Sequence, residues 1–180
     1  VRVRLDNLMH KGRTMILACD QGFEHGPKDF NATNIDPEYV MELGLEGRYS
    51  GLAIQAGMAE KYYGLHYKDV PLIVKLNAKC SLPDKDPWSR QHTSVEYAAR
   101  IGAAAVGYTL YHGSRNENQQ FVELGRIVEE AHIRDLPVIV WNYPRGSLIK
   151  DELGTEEIAY GARIAMELGA DMIKLKYNGD

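Results

Sequence analysis

Six short apolar runs rich in Val, Ile, Leu and Ala punctuate the chain, at residues 14–19, 51–55, 71–76, 105–109, 137–141 and 172–175. None shows the polar/apolar alternation of a sheet with one wet face. Continuous runs of this length predict parallel strands covered on both faces. Helical patterns fill the gaps. Asp36-Pro37-Glu38 reads as an N-cap with Pro at the first helical position, and Ser94 opens a helix that Gly102 closes. Phe121, Leu124, Ile127, Val128 and Ala131 repeat at helical spacing, and Thr155-Glu156-Glu157 opens a helix that ends at Leu168-Gly169. Residues 57–67 read as a further helix, and the polar stretch 81–92 as a long functional loop after the third strand. Strand and helix thus alternate, which predicts an α/β fold with a parallel sheet, either open and doubly wound or a (β/α)8 barrel. No GxGxxG or Walker-type sequence follows the first strand, which removes the usual nucleotide-binding forms of the open sheet.

In parallel α/β folds the chemistry sits at the C-terminal strand ends. Asp20 ends the first run, Lys75 and Asn77 the third, Trp141 and Tyr143 the fifth, and Lys174 and Lys176 the sixth. Side chains alternate with period two, so Lys174 and Lys176 share one face while Ile173, Leu175 and Tyr177 share the other. An inward lysine in an apolar pocket loses its proton readily, and with a second cation two residues away it suits a Schiff-base nucleophile. The competing reading has both ammonium groups reaching out to solvent at the strand tip. Ile139, Trp141 and Tyr143 likewise share a face. Tyr143 there is a candidate proton donor and acceptor or a rim tyrosine, and Trp141 a shield for an imine or a core side chain. Asp20, on the face of Ile16 and Ala18, either holds a sugar hydroxyl or pairs with a lysine.

Composition narrows the function classes. With 44% apolar and 26% charged residues in 180, disorder, collagen and disulfide scaffolds are excluded. The 21 basic and 25 acidic residues give a net charge of −4 with the signs interspersed, which argues against nucleic-acid or anionic-membrane partners. Cys19 and Cys80 form no spaced pair, so reduced thiols and a cytoplasmic location are expected. Among the six histidines, His25, His92 and His112 could reach a catalytic rim, but none falls in a paired ligand spacing and no metal site is expected.

Three blocks at strand ends carry a resemblance: Asp20-Gln21-Gly22-Phe23-Glu24-His25-Gly26-Pro27, Trp141-Asn142-Tyr143-Pro144-Arg145-Gly146 and Lys174-Leu175-Lys176-Tyr177-Asn178-Gly179-Asp180. They resemble the signature blocks of the archaeal-type class I fructose-1,6-bisphosphate aldolases, a family of metal-independent TIM (β/α)8 barrels. The resemblance implies that Lys174 forms the Schiff base with the ketone carbon of dihydroxyacetone phosphate, with Lys176 as a neighbouring cation. It implies that Tyr143 is the general acid/base beside Trp141, and that Asp20 engages substrate hydroxyls. Gln21, His25 and Asp29 match its substrate-contacting loop, and Arg145 a residue near a substrate phosphate. Reversible cleavage to dihydroxyacetone phosphate and glyceraldehyde 3-phosphate is the implied reaction, with no cofactor and with self-association into homo-oligomers. A related Schiff-base synthase of an amino-dideoxy-heptulosonate shares the second and third blocks, and a non-catalytic sugar-phosphate-binding barrel is the non-enzymatic alternative. Residues 1–180 are expected to form one barrel domain covering strands 1–6 of eight, without strands 7–8 and their phosphate-binding loops. The Val at position 1 suggests a start inside a longer chain or after processing, and so open an arc is expected not to be stable alone as a monomer.

Overall fold

The computed structural model describes residues 1–66, 68–82 and 84–179, with Gln21 described by its backbone alone. Along the chain run α1 (Arg2–Asn7), β1 (Ile16–Ala18), α2 (Glu38–Glu46), β2 (Gly51–Gln55), α3 (Ala56–Tyr62), β3 (Leu72–Lys75), α4 (Val95–Arg100), β4 (Ala105–His112), α5 (Glu117–Ile133), β5 (Val138–Pro144), α6 (Thr155–Glu167) and β6 (Met172–Lys174). All six apolar runs are strands. They form one wholly parallel sheet in the order β1-β2-β3-β4-β5-β6. A doubly wound sheet reverses its strand order partway, whereas here every strand lies beside its predecessor. Right-handed crossovers then place the helices between the strands on one face, and the sheet winds as a barrel wall.

The local signals explain the helices. Ser94 Oγ accepts the Tyr97 N–H at 3.1 Å, and the α4 segment stops before Gly102, whose φ is +89°. The Asp36 carboxylate accepts the Glu38 N–H at 3.0 Å at the start of α2. Leu124, Ile127, Val128 and Ala131 of α5 are the buried stripe that their spacing predicted, each large side chain contributing roughly 1.5–3 kcal/mol. Residues 57–67 divide into α3 and a 3-10 turn at Tyr63–Leu65, with Tyr67 outside the described residues.

Alternation along the strands sorts two cores. Leu52, Ile54, Leu72, Val74, Val106, Tyr108, Val138 and Val140 face the helices in the larger one. Ala53, Ile73, Ala105, Ile139 and Trp141 face inward, with Leu8 sealing the layer just beyond α1. The charged segment carrying α1 gave no helical signal in the sequence; its own six residues bury nothing, and it is held by the buried Leu8, by Arg4 donating to Ala103 O at 3.3 Å and by the terminal amine paired with Asp135. Thr14, Ile16 and Ala18 at one end of the arc line a cavity of about 460 Å³ together with Met172 and Lys174 at the other, so the sheet curls until its end strands face one another.

Two differences from the sequence reading bear on the site. Both β4 and β5 run three residues past their apolar cores, which brings Tyr111 and Tyr143 into register as cross-strand partners. The 81–92 stretch is not wholly a loop. Arg90–Gln91 pairs antiparallel with Asn77–Ala78, because Asn77 ties the segment down: its Nδ2 donates to Ser89 O and Thr109 O, and its Oδ1 accepts the Thr109 N–H.

Candidate functional site

The inward residues at the C-terminal strand ends enclose a cavity of about 350 Å³. One wall is a buried ion pair. Lys75, the last residue of β3, is 1% exposed and donates to Asp20 Oδ2 and Thr109 Oγ1, both at 2.8 Å. Its ammonium also lies 4.9 Å from the centre of the Trp141 ring. Desolvating an ammonium is costly, and here a carboxylate, a hydroxyl and an aromatic face offset the loss of water. The wall is tight because residue 107 is Gly: a Cβ there would lie 2.5 Å from Trp141 Cζ3 and 2.9 Å from Lys75 Cδ.

The opposite wall is aromatic and cationic. Lys174 Nζ donates to the Tyr143 hydroxyl at 2.9 Å. Tyr143 stacks on Tyr111 with ring centres 6.2 Å apart, and the Arg145 guanidinium lies 5.4 Å from the Tyr143 ring. Tyr111 is buried, and that burial, with the Glu24 carboxylate next in effect, pushes its phenol up to about 12. Glu24 also borders the cavity. Burial raises its carboxyl above the usual range against the pull of Lys75, and its Oε1 has no hydrogen-bond partner among the described residues.

The structure brings together Asp20, His25, Trp141, Tyr143, Arg145, Lys174 and Lys176 around this one cavity. Asp29 does not line it; it lies 4.0 Å from His25 Nδ1, with both side chains exposed. The Gln21 side chain lies outside the described residues. Face assignment from parity holds for Trp141 and Tyr143, which sit with the inner core, and for Lys174. The expected burial falls elsewhere. Lys174 is exposed, because β6 has no strand beyond it among the described residues, and the lysine sealed from water is Lys75. Nor is the surrounding apolar, for Asp20 and Glu24 share the cavity. Lys176 pairs with Glu152 at 3.1 Å rather than standing as a free cation beside Lys174.

Sequence reasoning placed Lys75 at a strand end without assigning it to the site, and missed Thr109, Tyr111, Glu24 and Glu152. Parity with the inward Ile73 was the available signal for Lys75, and parity with Tyr143 through the β4–β5 register was the signal for Tyr111. Of the three histidines, only His25 borders the cavity; His92 stacks on Phe23 at 5.6 Å, and His112 is buried against α6. Among the described residues no group of three or more His, Cys, Asp or Glu is arranged to hold a metal ion. Burial, then the Asp20 charge, pushes the Cys19 thiol up to about 11, away from the thiolate form. No helix of the described residues is long and apolar enough to cross a membrane.

Residues 14–180 match the family described as DeoC/LacD family aldolase. The chain is 49% identical over 172 residues to the class 1 fructose-bisphosphate aldolase of Thermoproteus tenax, a match that covers 94% of this chain and 64% of that protein. The chain therefore spans just under two thirds of that relative's length. It superposes with a TM-score of 0.92, at 46% identity over 99% of this chain and 71% of the other, on an archaeal fructose-1,6-bisphosphate aldolase whose catalytic lysine is bound covalently to the carbinolamine intermediate of its substrate. A 2-amino-3,7-dideoxy-D-threo-hept-6-ulosonate synthase of Archaeoglobus fulgidus is more distant, at 33% identity over 98% of this chain and 65% of that protein. The resemblance drawn from the three strand-end blocks is borne out by these relatives.

Proposed function

This chain belongs to the DeoC/LacD family of aldolases, and from that membership we propose that it carries the Schiff-base centre of a class I fructose-1,6-bisphosphate aldolase. The observation that carries the reading is the 2.9 Å hydrogen bond between Lys174 Nζ and the Tyr143 hydroxyl, facing the Asp20–Lys75 pair across one cavity.

Lys174, as the free amine, attacks the ketone carbon of the open-chain sugar. The carbinolamine so formed loses water to give an iminium. Tyr143, in contact with the nitrogen, is placed to handle the protons of the cleavage steps that follow. The iminium then draws the electron pair of the breaking carbon–carbon bond as the Tyr143 oxygen, in its phenolate form, takes up the hydroxyl proton of the carbon across that bond. Glyceraldehyde 3-phosphate leaves and an enamine remains. Tyr143 returns a proton to the enamine carbon, and hydrolysis frees dihydroxyacetone phosphate and Lys174. Asp20 is held by Lys75 with one oxygen accepting its ammonium, which leaves the other oxygen for substrate hydroxyls. Trp141 forms the floor beneath the reacting carbons, and His25 and Arg145 meet the substrate at the rim. The electron sink is the iminium itself, so no metal is required. In this reading Asp29 and Gln21 act through the loop after β1, and the protein works on free sugar phosphates in the cytoplasm as a homo-oligomer.

Release of both triose phosphates from fructose 1,6-bisphosphate, followed by a coupled assay, tests the reading. Turnover that survives EDTA and vanishes in Lys174→Met is expected. Undiminished turnover in Lys174→Met, or loss on chelation, overturns it.

A further inference from the structure

Two cations converge on one carboxylate at the edge of the cavity, and no step above uses that carboxylate. Arg145 Nε and Lys176 Nζ both donate to Glu152 Oε2, at 3.3 and 3.1 Å. Neither cation has a second acidic partner among the described residues. The segment carrying Glu152 is pinned at both ends. Asp151 accepts the Leu153 N–H through its side chain at 2.9 Å and the Gly154 N–H through its carbonyl at 3.2 Å, and Asn178 donates to Leu153 O at 3.1 Å. On the other side Ser147 is bound to Asp86, and Gly146, with φ at +138°, crosses so close to Gly113 that a Cβ would lie 2.1 Å from its carbonyl oxygen. Glu152 is thus delivered to the two cations by a fixed loop.

We propose that Glu152 is a built-in anion surrogate: it occupies the anion subsite formed by Arg145 and Lys176 until a phosphate group of the ligand displaces it. A phosphate carries up to two charges and three acceptor oxygens, so it competes with a single carboxylate where a neutral hydroxyl cannot. The device makes admission to this side of the cavity conditional on phosphorylation and keeps the two cations from capturing weaker anions. That the phosphate belongs to the substrate rests on the proposed function; the subsite itself does not.

Calorimetric titration with inorganic phosphate tests the subsite. Exposed ion pairs of this kind are weak, so Glu152→Gln is expected to tighten phosphate binding by roughly three- to tenfold. Glu156→Gln, which removes the same charge from the exposed first turn of α6, is expected to change nothing. Equal tightening in both variants, or none in Glu152→Gln, overturns the proposal. Borohydride trapping then links the subsite to substrate. In Glu152→Gln the half-saturating concentration of dihydroxyacetone phosphate should fall by a similar factor, and that of unphosphorylated dihydroxyacetone should stay put. A shift of both sinks the proposal. Absence of any adduct in wild-type protein counts against the aldolase reading alone, since the phosphate titration still decides the role of Glu152.

Discussion

Gly107 is the point at which the inner wall has no room to spare, which makes Gly107→Ala the most informative single-methyl change in the fold. The added Cβ would stand 2.5 Å from Trp141 Cζ3, 3.0 Å from Trp141 Cη2 and 2.9 Å from Lys75 Cδ. Carbon atoms pack at roughly 3.5–4.0 Å, so the indole must retreat by about 1 Å. It has nowhere to go without cost. Trp141 is 4% exposed, packed in the inner core and capped by the Lys75 ammonium. Overpacking of this type costs about 1–3 kcal/mol, and displacing the floor of the site by about 1 Å is expected to lower kcat/KM by roughly ten- to a hundredfold. Urea unfolding followed by tryptophan fluorescence reads the first effect, and the coupled cleavage assay the second. Trp141→Phe removes the two clashing ring atoms, so in the double variant it should recover about 1 kcal/mol or more of the Gly107→Ala loss. An unmoved unfolding midpoint with intact activity in Gly107→Ala, or strict additivity in the pair, would refute the packing on which the site is built.

Other outcomes follow from the same geometry. Lys75→Met strands the Asp20 carboxylate, which is 18% exposed and so partly relieved by water. A loss of about 2–3 kcal/mol in urea unfolding is expected, together with a smaller effect when Asp20→Asn is already present; additive losses would contradict the pairing. Tyr143→Phe should retain the borohydride-trappable adduct while cleavage falls by roughly 10²–10⁴, and parallel loss of both would move Tyr143 to imine formation. His112 is buried, and its Nε2 faces the Glu157 carbonyl at 2.9 Å, which makes that nitrogen an N–H donor. Burial holds its pKa below the ordinary 6.5. Below that pH the unfolded chain takes up a proton that the folded chain refuses, so stability falls as the solution is acidified. The stability difference between wild type and His112→Gln should therefore shrink as pH drops below about 6.5; a constant difference would rule out the buried neutral ring.

Strand positions and inward faces were legible in the sequence because parallel strands covered on both sides are continuous apolar runs, and period-two alternation fixes which side chains share a face. Tyr143 and Trp141 were placed correctly on that basis alone. What alternation along one strand does not reveal is which neighbour a side chain meets. Lys75 finds its carboxylate 55 residues away at Asp20, a pairing set by the curl of the sheet. Tyr111 meets Tyr143 only because both strands extend beyond their apolar cores, where Gln120 of α5 accepts the Tyr111 N–H and keeps the strand end ordered. Glu152 sits in a polar segment whose sequence resembles any solvated loop, and its meeting with Arg145 and Lys176 depends on a chain path fixed by Gly146, Asp151 and Asn178. Burial did not fall on the lysine that the sequence singled out as the candidate nucleophile. Counting lysines on the inner face does not distinguish Lys75, closed in by neighbours on both sides, from Lys174 on the outermost strand.

Three lysines border the cavity, and the proposed covalent chemistry falls on one of them, Lys174. Incubation with dihydroxyacetone phosphate and sodium borohydride, followed by peptide mapping in a mass spectrometer, reads that assignment directly. A single reduced adduct on Lys174 is expected, with Lys75 and Lys176 unmodified. An adduct on Lys75 or Lys176, or no adduct at all, would contradict it.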